Sequence, residues 1–151
     1  MENNTTEPIG FYEREYYAFS NFSAFAIKWK GHFCLTSEHA YHTEKFEDEA
    51  LKEAIRKTMS AHDSQKLSHE YKDSYRKDWN DVKLGIMKEI LREKIRQHPY
   101  IMMMLLESGE RELIEDSWRD DFWGWGPNKD GANHLGILWM EVREEAKSGK
   151  L

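Results

Sequence analysis

Hydrophobic and polar positions divide this chain into a short β-rich opening and a longer helical remainder. Residues 25–29 alternate apolar and polar, residues 32–36 alternate again, and Lys30-Gly31 lies between them. A two-residue link carrying glycine predicts a β-hairpin, with Phe25, Ile27 and Trp29 on one face, opposite Phe33 and Leu35. A short strand is expected earlier, at about Ile9 to Tyr12, after a polar leader that ends in Pro8. Thr36 or Ser37 reads as an N-cap opening a helix from about Glu38 to Phe46, with a second from about Asp48 to Met59. Ser60-Ala-His-Asp63 is a further capped start, for a short helix ending near His69. From about Asp78 to Gln97, Val82, Ile86, Met87, Ile90, Leu91 and Ile95 recur at three and four, the buried stripe of a long helix that Pro99 stops. Tyr100 to Leu106 reads as a short apolar helix closed by Gly109, Glu112 to Glu115 as a candidate strand, and Trp118 to Ala132 as a loop rich in Trp, Gly and Asp. Asn133 opens a last helix whose stripe is Leu135, Leu138, Trp139 and Val142.

Helices dominate and the strands are few and hairpin-linked, so the expected class is α+β, mainly helical with a small antiparallel sheet. The 151 residues suit a flexible leader over 1–8 and a single domain over 9–151. With 39% hydrophobic residues, 7 Phe, 7 Tyr and 6 Trp, the chain is too apolar and aromatic for a disordered segment. No apolar run approaches the roughly 20 residues that cross a bilayer, and the start lacks the basic and apolar regions of a signal peptide. A cytoplasmic protein without membrane contact is expected. The single cysteine, Cys34, excludes an internal disulfide, a thiolate zinc module and a Cys-x-x-Cys redox pair. Lys and Arg number 22 against 28 Asp and Glu, and the net charge of −6 argues against a protein that holds nucleic acid by bulk electrostatics. A local nucleic-acid contact stays open.

Two constellations offer chemistry. In Ser37-Glu-His-Ala-Tyr-His-Thr-Glu-Lys45, residues Glu38, Tyr41 or His42, and Lys45 share one helical face. A carboxylate and an ammonium one turn either side of a ring make a pocket wall, although acids are also common in first turns for capping alone. In the loop Asp120-Asp-Phe-Trp-Gly-Trp-Gly-Pro-Asn-Lys-Asp-Gly-Ala-Asn133, Gly124, Gly126 and Gly131 allow backbone N–H groups to converge on an anion, and Trp123 and Trp125 offer faces for a base. The plain alternative is that buried tryptophans pin a glycine-rich loop to the core. Trp79 is equally well the first core residue of the long helix, and Met102 to Met104 read as core filler. His39 and His42 flank no H-E-x-x-H pattern and have no third histidine at ligand spacing, so no metal is expected. No G-x-S-x-G elbow is present and Cys34 lies within a strand, which leaves carboxylate chemistry.

Several segments together resemble one family: Phe19-Ser-Asn-Phe22, Thr36-Ser-Glu-His39 with Lys45-Phe46, Trp79, Asp120-x-x-Trp-Gly124, Gly131-x-Asn133-x-Leu-Gly136 and Met140-x-x-Arg143. In order and spacing they resemble the YbiA-like, or NADAR, family from about Ile9 to Glu145. The chain departs from the family at Trp125 and Pro127, in a loop that is often smaller and more polar there.

The resemblance implies an N-glycosidase without metal or other cofactor that cleaves the bond between ribose C1′ and an exocyclic amino nitrogen. Two substrate classes come with it: guanine bases bearing ADP-ribose, and phosphoribosylamino-pyrimidine intermediates of riboflavin synthesis. It implies Glu38, Lys45, Trp79 and Asp120 as catalytic positions. The substrate-binding positions expected are Phe19, Ser20, Asn21, Phe22, His39, Tyr41, Trp123, Gly124, Gly126, Asn133 and Arg143. Glu38 is expected to stabilise positive charge at C1′; Asp120 is expected to direct the water or protonate the departing amine; Arg143, Lys45 and the glycine amides are expected to meet phosphate. Lys45 also suits a transient Schiff base. Two competing readings remain: a module that binds ADP-ribose or a nucleotide without cleaving it, and a Trp-rich loop serving as a protein interface. The residues name no protein partner.

Overall fold

The computed structural model describes residues 6–151, so part of the expected leader lies outside the described residues. In chain order the elements are β1 (Ile9–Phe11), a 3-10 helix (Arg14–Phe19), β2 (Ile27–Trp29), β3 (His32–Cys34), α1 (Ser37–Thr43), α2 (Glu49–Arg56), α3 (Ala61–Glu70), a 3-10 turn (Lys72–Ser74), α4 (Trp79–Gln97), α5 (Pro99–Glu107), β4 (Leu113–Glu115) and α6 (His134–Lys147). The class is α+β and mainly helical, as the periodicity indicates. The chain forms two compact units: a terminal unit made of the segment up to Ser20 with His98–Leu151, and a middle unit, Asn21–Gln97.

In the middle unit the hairpin forms at the expected place, with Lys30 at φ 52° and Gly31 at φ 86°, the pair of positive angles that a two-residue turn between twisted strands requires. Its inner face differs from the expected one. Ile27 pairs with Cys34 and Trp29 with His32, so the buried side of the hairpin is Ile27, Trp29 and Cys34. Phe33, paired with Lys28, is 66% exposed, and Leu35 is exposed as well. The reason is parity: a two-residue turn makes Trp29 and His32 direct partners, and direct partners share a face, which sends Phe33 to the other side. The outer edge of β2 is closed by Gln97 at the end of α4, whose Oε1 accepts from Lys28 N at 2.7 Å while its Nε2 donates to Lys28 O at 2.9 Å.

Helices α1 to α3 start where their caps stand. Thr36 accepts from His39 N, Asp48 from Ala50 N and Leu51 N, and Ser60 from Asp63 N, each satisfying amides that a helix start leaves open. The stripe of α4 lies inward through Met87, Ile90, Leu91 and Ile95, and Trp79 is buried at its start. Helix α1 packs against α2, α3, α4 and both hairpin strands, and all seven of its residues are buried.

The terminal unit is organised by a second strand pair, which adds a parallel pairing to the antiparallel hairpin the sequence predicts: β1 and β4 run parallel, Ile9 beside Leu113 and Phe11 beside Glu115. Helix α6 covers this pair with Leu135, Leu138, Trp139 and Val142, and Trp139 donates from Nε1 to Phe19 O at 2.9 Å. Full burial of each such side chain contributes about 1.5–3 kcal/mol. Gly136 of α6 approaches β4 so closely that a Cβ would collide with the Leu113 carbonyl oxygen. Gly136→Ala is expected to destabilise the protein by roughly 3 kcal/mol or more, the upper range for overpacking, read as a lowered urea midpoint; a stability equal to wild type would refute the close approach.

Candidate active site

Helix α1 is unusual in what it buries: five of its seven side chains are polar or charged, Ser37, Glu38, His39, His42 and Thr43. Each such group in an apolar interior needs a partner. His39 is held on both sides, with Nδ1 2.8 Å from Thr36 Oγ1 and Nε2 3.2 Å from Thr58 O. A carbonyl only accepts, so Nε2 carries a proton, and burial lowers the ring's pKa below its ordinary value, which favours the neutral imidazole. Thr43 donates to Ala40 O, and Glu44, just past the helix, accepts from Trp29 Nε1 at 2.8 Å and from Lys30 Nζ at 3.1 Å.

Glu38 and His42 lie one turn apart, with Glu38 Oε2 2.7 Å from His42 Nε2. Burial, the largest influence, pushes the His42 pKa below its ordinary value against the pull of Glu38. His42 is therefore a neutral imidazole donating from Nε2–H, and its Nδ1 is buried without a hydrogen-bond partner. The result is a carboxylate held by one oxygen, with Oε1 left open.

Lys45 follows the helix. Its ammonium lies 4.8 Å from the centre of the Tyr75 ring, 5.3 Å from Tyr41 and 5.8 Å from Trp79, and Nζ is 3.4 Å from the Tyr75 hydroxyl, which in turn meets Ser68 Oγ at 3.1 Å. The Tyr41 and Trp79 rings touch at 5.1 Å. Burial lowers the Lys45 pKa to about 8, opposed by Glu38. This amine loses its proton near neutral pH, unlike a solvated lysine.

The sequence-derived residues of the middle unit thus separate. Glu38, Tyr41, Lys45 and Trp79 come together around one amine and one carboxylate. His39 is taken up by structural hydrogen bonds. Asn21 is buried, donating to Met87 Sδ at 3.4 Å and accepting from Ser37 Oγ at 2.9 Å, while Phe22 is partly exposed. Sequence reasoning named no role for Tyr75 or Lys94. Lys94 is fully buried and donates to Ser23 Oγ at 3.1 Å and Ser37 Oγ at 3.3 Å. Its signal was present, since it follows Ile90 by four and Leu91 by three, on the apolar stripe of α4. A separate groove of about 800 Å³ runs along α4 and the hairpin, lined by Lys28, Trp29, Lys30, Asp81, Val82, Gly85, Ile86, Glu89, Glu93 and Arg96; it includes none of the cluster's residues.

In the terminal unit the expected site residues are engaged within the fold. Asp120 Oδ1 accepts from Phe122 N at 2.9 Å and Trp123 N at 2.8 Å, which folds the loop. Gly124, Gly126 and Gly131 sit where the loop meets Glu115 or Asp121 at less than a side chain's distance, and the Gly131 amide donates to Trp125 O. Trp123 contacts the Phe122 and His134 rings. Asn133, expected to open α6, stands at its N-cap position at φ 51° without capping it; its Oδ1 accepts from Glu115 N and its Nδ2 donates to Leu113 O, both at 2.9 Å. Arg143 is buried and donates from Nη1 to Ser108 Oγ and Arg111 O. Phe19 is a core ring, 5.1 Å from Trp139 and 5.8 Å from Phe11, and Ser20 is buried beside it in sequence. Among the described residues no helix is long and apolar enough to cross a membrane.

A cap, a polar buried helix and a caged lysine at its end are what the fold builds from the segments that resembled a known family, and whole-chain comparison gives the same answer. The NADAR domain model matches residues 10–147, and the chain belongs to that family. It is 37% identical over 139 residues to the N-glycosidase YbiA of Escherichia coli (strain K12), an alignment covering 91% of this chain and 87% of that protein. It is 39% identical over 145 residues to the riboflavin biosynthesis protein VVA0006 of Vibrio vulnificus, covering 95% of this chain but 40% of that longer protein. The NMR structure of the E. coli protein YbiA has a TM-score of 0.88 to this fold at 36% identity, covering 95% of this chain and 87% of that one.

The Glu38–His42 pair carries a stability signature. The unfolded chain protonates histidine near 6.5, while folded His42 resists, so below about that pH the unfolded state binds more protons and stability falls. Urea titrations from pH 7.5 to 5 should show this fall weakened in His42→Gln, which cannot titrate. His42→Leu should lose about 1–3 kcal/mol at pH 7.5 by leaving Glu38 Oε2 unpaired; an unchanged stability in His42→Leu would refute the pairing.

Proposed function

We propose that this protein is an N-glycosidase that hydrolyses the bond between ribose C1′ and an exocyclic amino nitrogen, with Glu38, Lys45 and Trp79 of the middle unit as its reacting and holding groups. The observation that carries the reading is the pairing, on one short helix and its exit, of a carboxylate tied by a single oxygen and a ring-caged amine whose pKa burial brings to about 8. The name of the E. coli relative supports the reaction class. The substrate is a small nucleotide-type molecule bearing a ribosylated amine. ADP-ribosylated guanine, free or within nucleic acid, and phosphoribosylamino-pyrimidine intermediates of riboflavin synthesis are the two candidates; the name of the Vibrio relative favours the second. Residues 9–151 serve as one functional domain in this reading, which the family model's span supports, and the expected location is the cytoplasm.

Opening of the sugar ring leaves positive charge at the C1′=N group, and a preplaced carboxylate stabilises charge that exists only on the way to products. Glu38 suits that task because His42 fixes Oε2 and leaves Oε1 open. Lys45 supplies the nucleophile. The C1′–O4′ bond opens as the nitrogen lone pair forms a C1′=N double bond, O4′ takes a proton from solvent, and an iminium cation is left at C1′ until hydrolysis returns the proton. The neutral Lys45 amine then adds to C1′ and passes a proton to the heterocycle's nitrogen. The C1′–N bond breaks, the amine leaves, and an imine remains on Lys45. Water adds to that imine, releasing the sugar and restoring the lysine, so one water is consumed per turnover. Trp79 and Tyr41 wall the amine and offer faces against which a base stacks. Asp120, Trp123, Asn133 and Arg143 belong to the terminal unit, and the mechanism assigns them no step.

The test offers purified protein an oligonucleotide with ADP-ribosylated guanine and, in parallel, the phosphoribosylamino-uracil intermediate, with products followed by mass. Glu38→Gln should lower kcat by roughly 100-fold or more, and Lys45→Arg should abolish turnover because a guanidinium forms no imine. Borohydride added during turnover should leave a reduced sugar adduct on Lys45. Because the neutral amine attacks, kcat/KM should rise with pH and level off near 8. Active turnover with no adduct and a rate that falls above that pH would remove Lys45 as nucleophile. Binding of ADP-ribose with neither substrate cut would make the protein a non-catalytic reader.

A further inference from the structure

A buried ammonium is expensive to retain. Lys94 is fully buried, in the middle of the apolar stripe of α4, where a leucine or methionine of similar length would satisfy packing alone. Its Nζ reaches two hydroxyls, Ser23 Oγ and Ser37 Oγ. Ser37 precedes Glu38 and passes the connection on, donating from Oγ to Asn21 Oδ1 at 2.9 Å. The Asn21 carbonyl oxygen then accepts from the Glu38 amide at 3.1 Å. A continuous chain of contacts therefore runs from the Lys94 ammonium to the backbone of Glu38. The charge of Lys94 also acts on the same residue: Glu38 is the group that opposes the effect of burial on this lysine.

We propose that Lys94 is a positioning residue for the glycosidic reaction, a buried amine that fixes the backbone of Glu38 through Ser37 and Asn21. The proposal rests on the functional reading given above. The charged and titratable groups acting on Glu38 are His39 and His42 of α1, Lys45 beyond its end and Lys94 of α4; Asp63 of α3 acts on His39, and Lys83 of α4 acts on Lys45. Burial lowers the pKa of both imidazoles, and Lys45 is committed to the reacting amine. Lys94 stands behind the carboxylate, on the far side of Ser37, and burial lowers its pKa to about 7.

The test is Lys94→Met, which keeps the length and removes the charge, with Ser37→Ala as a second variant that cuts the contact chain and leaves the cation. Activity is measured against pH on whichever substrate the wild type cleaves. Lys94→Met should lower kcat by roughly 10- to 100-fold with KM changed by less than about 3-fold, since placement is lost and substrate contacts are not. Ser37→Ala should lower kcat likewise, with KM again little changed. The fold has its own readout. Between about pH 7 and 10.5 the unfolded chain holds a proton that folded Lys94 has released, so wild-type stability gains with pH across that window and Lys94→Met should lose that gain.

Lys94→Met with wild-type kcat, or with its loss carried by KM instead of kcat, overturns the proposal while wild-type turnover leaves the functional reading intact. The same stability gain in both proteins also overturns it. If Lys94→Met does not fold, Ser37→Ala with unchanged kcat overturns it. Failure of the wild type to cleave either substrate brings down the functional reading and this inference together.

Discussion

A polar helix in an interior is the constraint around which the middle unit is arranged. Helix α1 carries Ser37, Glu38, His39, His42 and Thr43 where an ordinary core helix carries leucines, and an unpaired polar group there costs about 1–3 kcal/mol. The surroundings are chosen accordingly. Thr36 and the Thr58 carbonyl hold one imidazole, Glu38 holds the other, the hairpin brings Trp29 and Lys30 to Glu44, and α4 brings Lys94 to Ser37. These partners satisfy the polar groups of α1 and hold the Glu38 carboxylate, through His42, in one place.

Burial acts on the two lysines of this unit in the same direction and to different ends. Lys45, ringed by Tyr41, Tyr75 and Trp79, has its pKa lowered to about 8; such an amine has a reactive fraction at neutral pH. Lys94 is lowered further, to about 7, beside two serine hydroxyls, the charge of Glu38 and the Phe25 ring at 6.0 Å. Cys34, by contrast, has its thiol pushed up to about 11 by burial, which leaves it a packing residue of the hairpin.

Local signals made most of the fold legible. Caps at Thr36, Asp48 and Ser60, the spacing of the α4 stripe and the stop at Pro99 all act within a few residues of the element they define, so the helices stand where the chain announces them. What the sequence concealed depends on distant or parity-bound partners. The parallel partner of Ile9 is Leu113, and nothing near either residue states the direction of the pairing. Phe33 lost its expected inward face to a register set by two turn residues. For the site, Glu38 and Lys45 share a helical face and could be read directly, whereas Tyr75 arrives from a separate turn and Lys94 hides as a charge in an apolar stripe. Asn133 looked like a helix opener because its side-chain type suits a cap; its amide instead brackets β4.

Gln97 closes the edge of β2 by offering its side-chain amide as if it were one residue of a neighbouring strand. A two-stranded hairpin has open edges that another chain can join, and such edges seed strand-by-strand assembly. One glutamine, delivered by the last turn of α4, occupies the donor and acceptor of Lys28 that a foreign strand would need. At Lys28 that edge of the hairpin is thereby blocked, and the long helix that contributes Trp79 to the cluster around Lys45 ends as a one-residue stand-in for a strand.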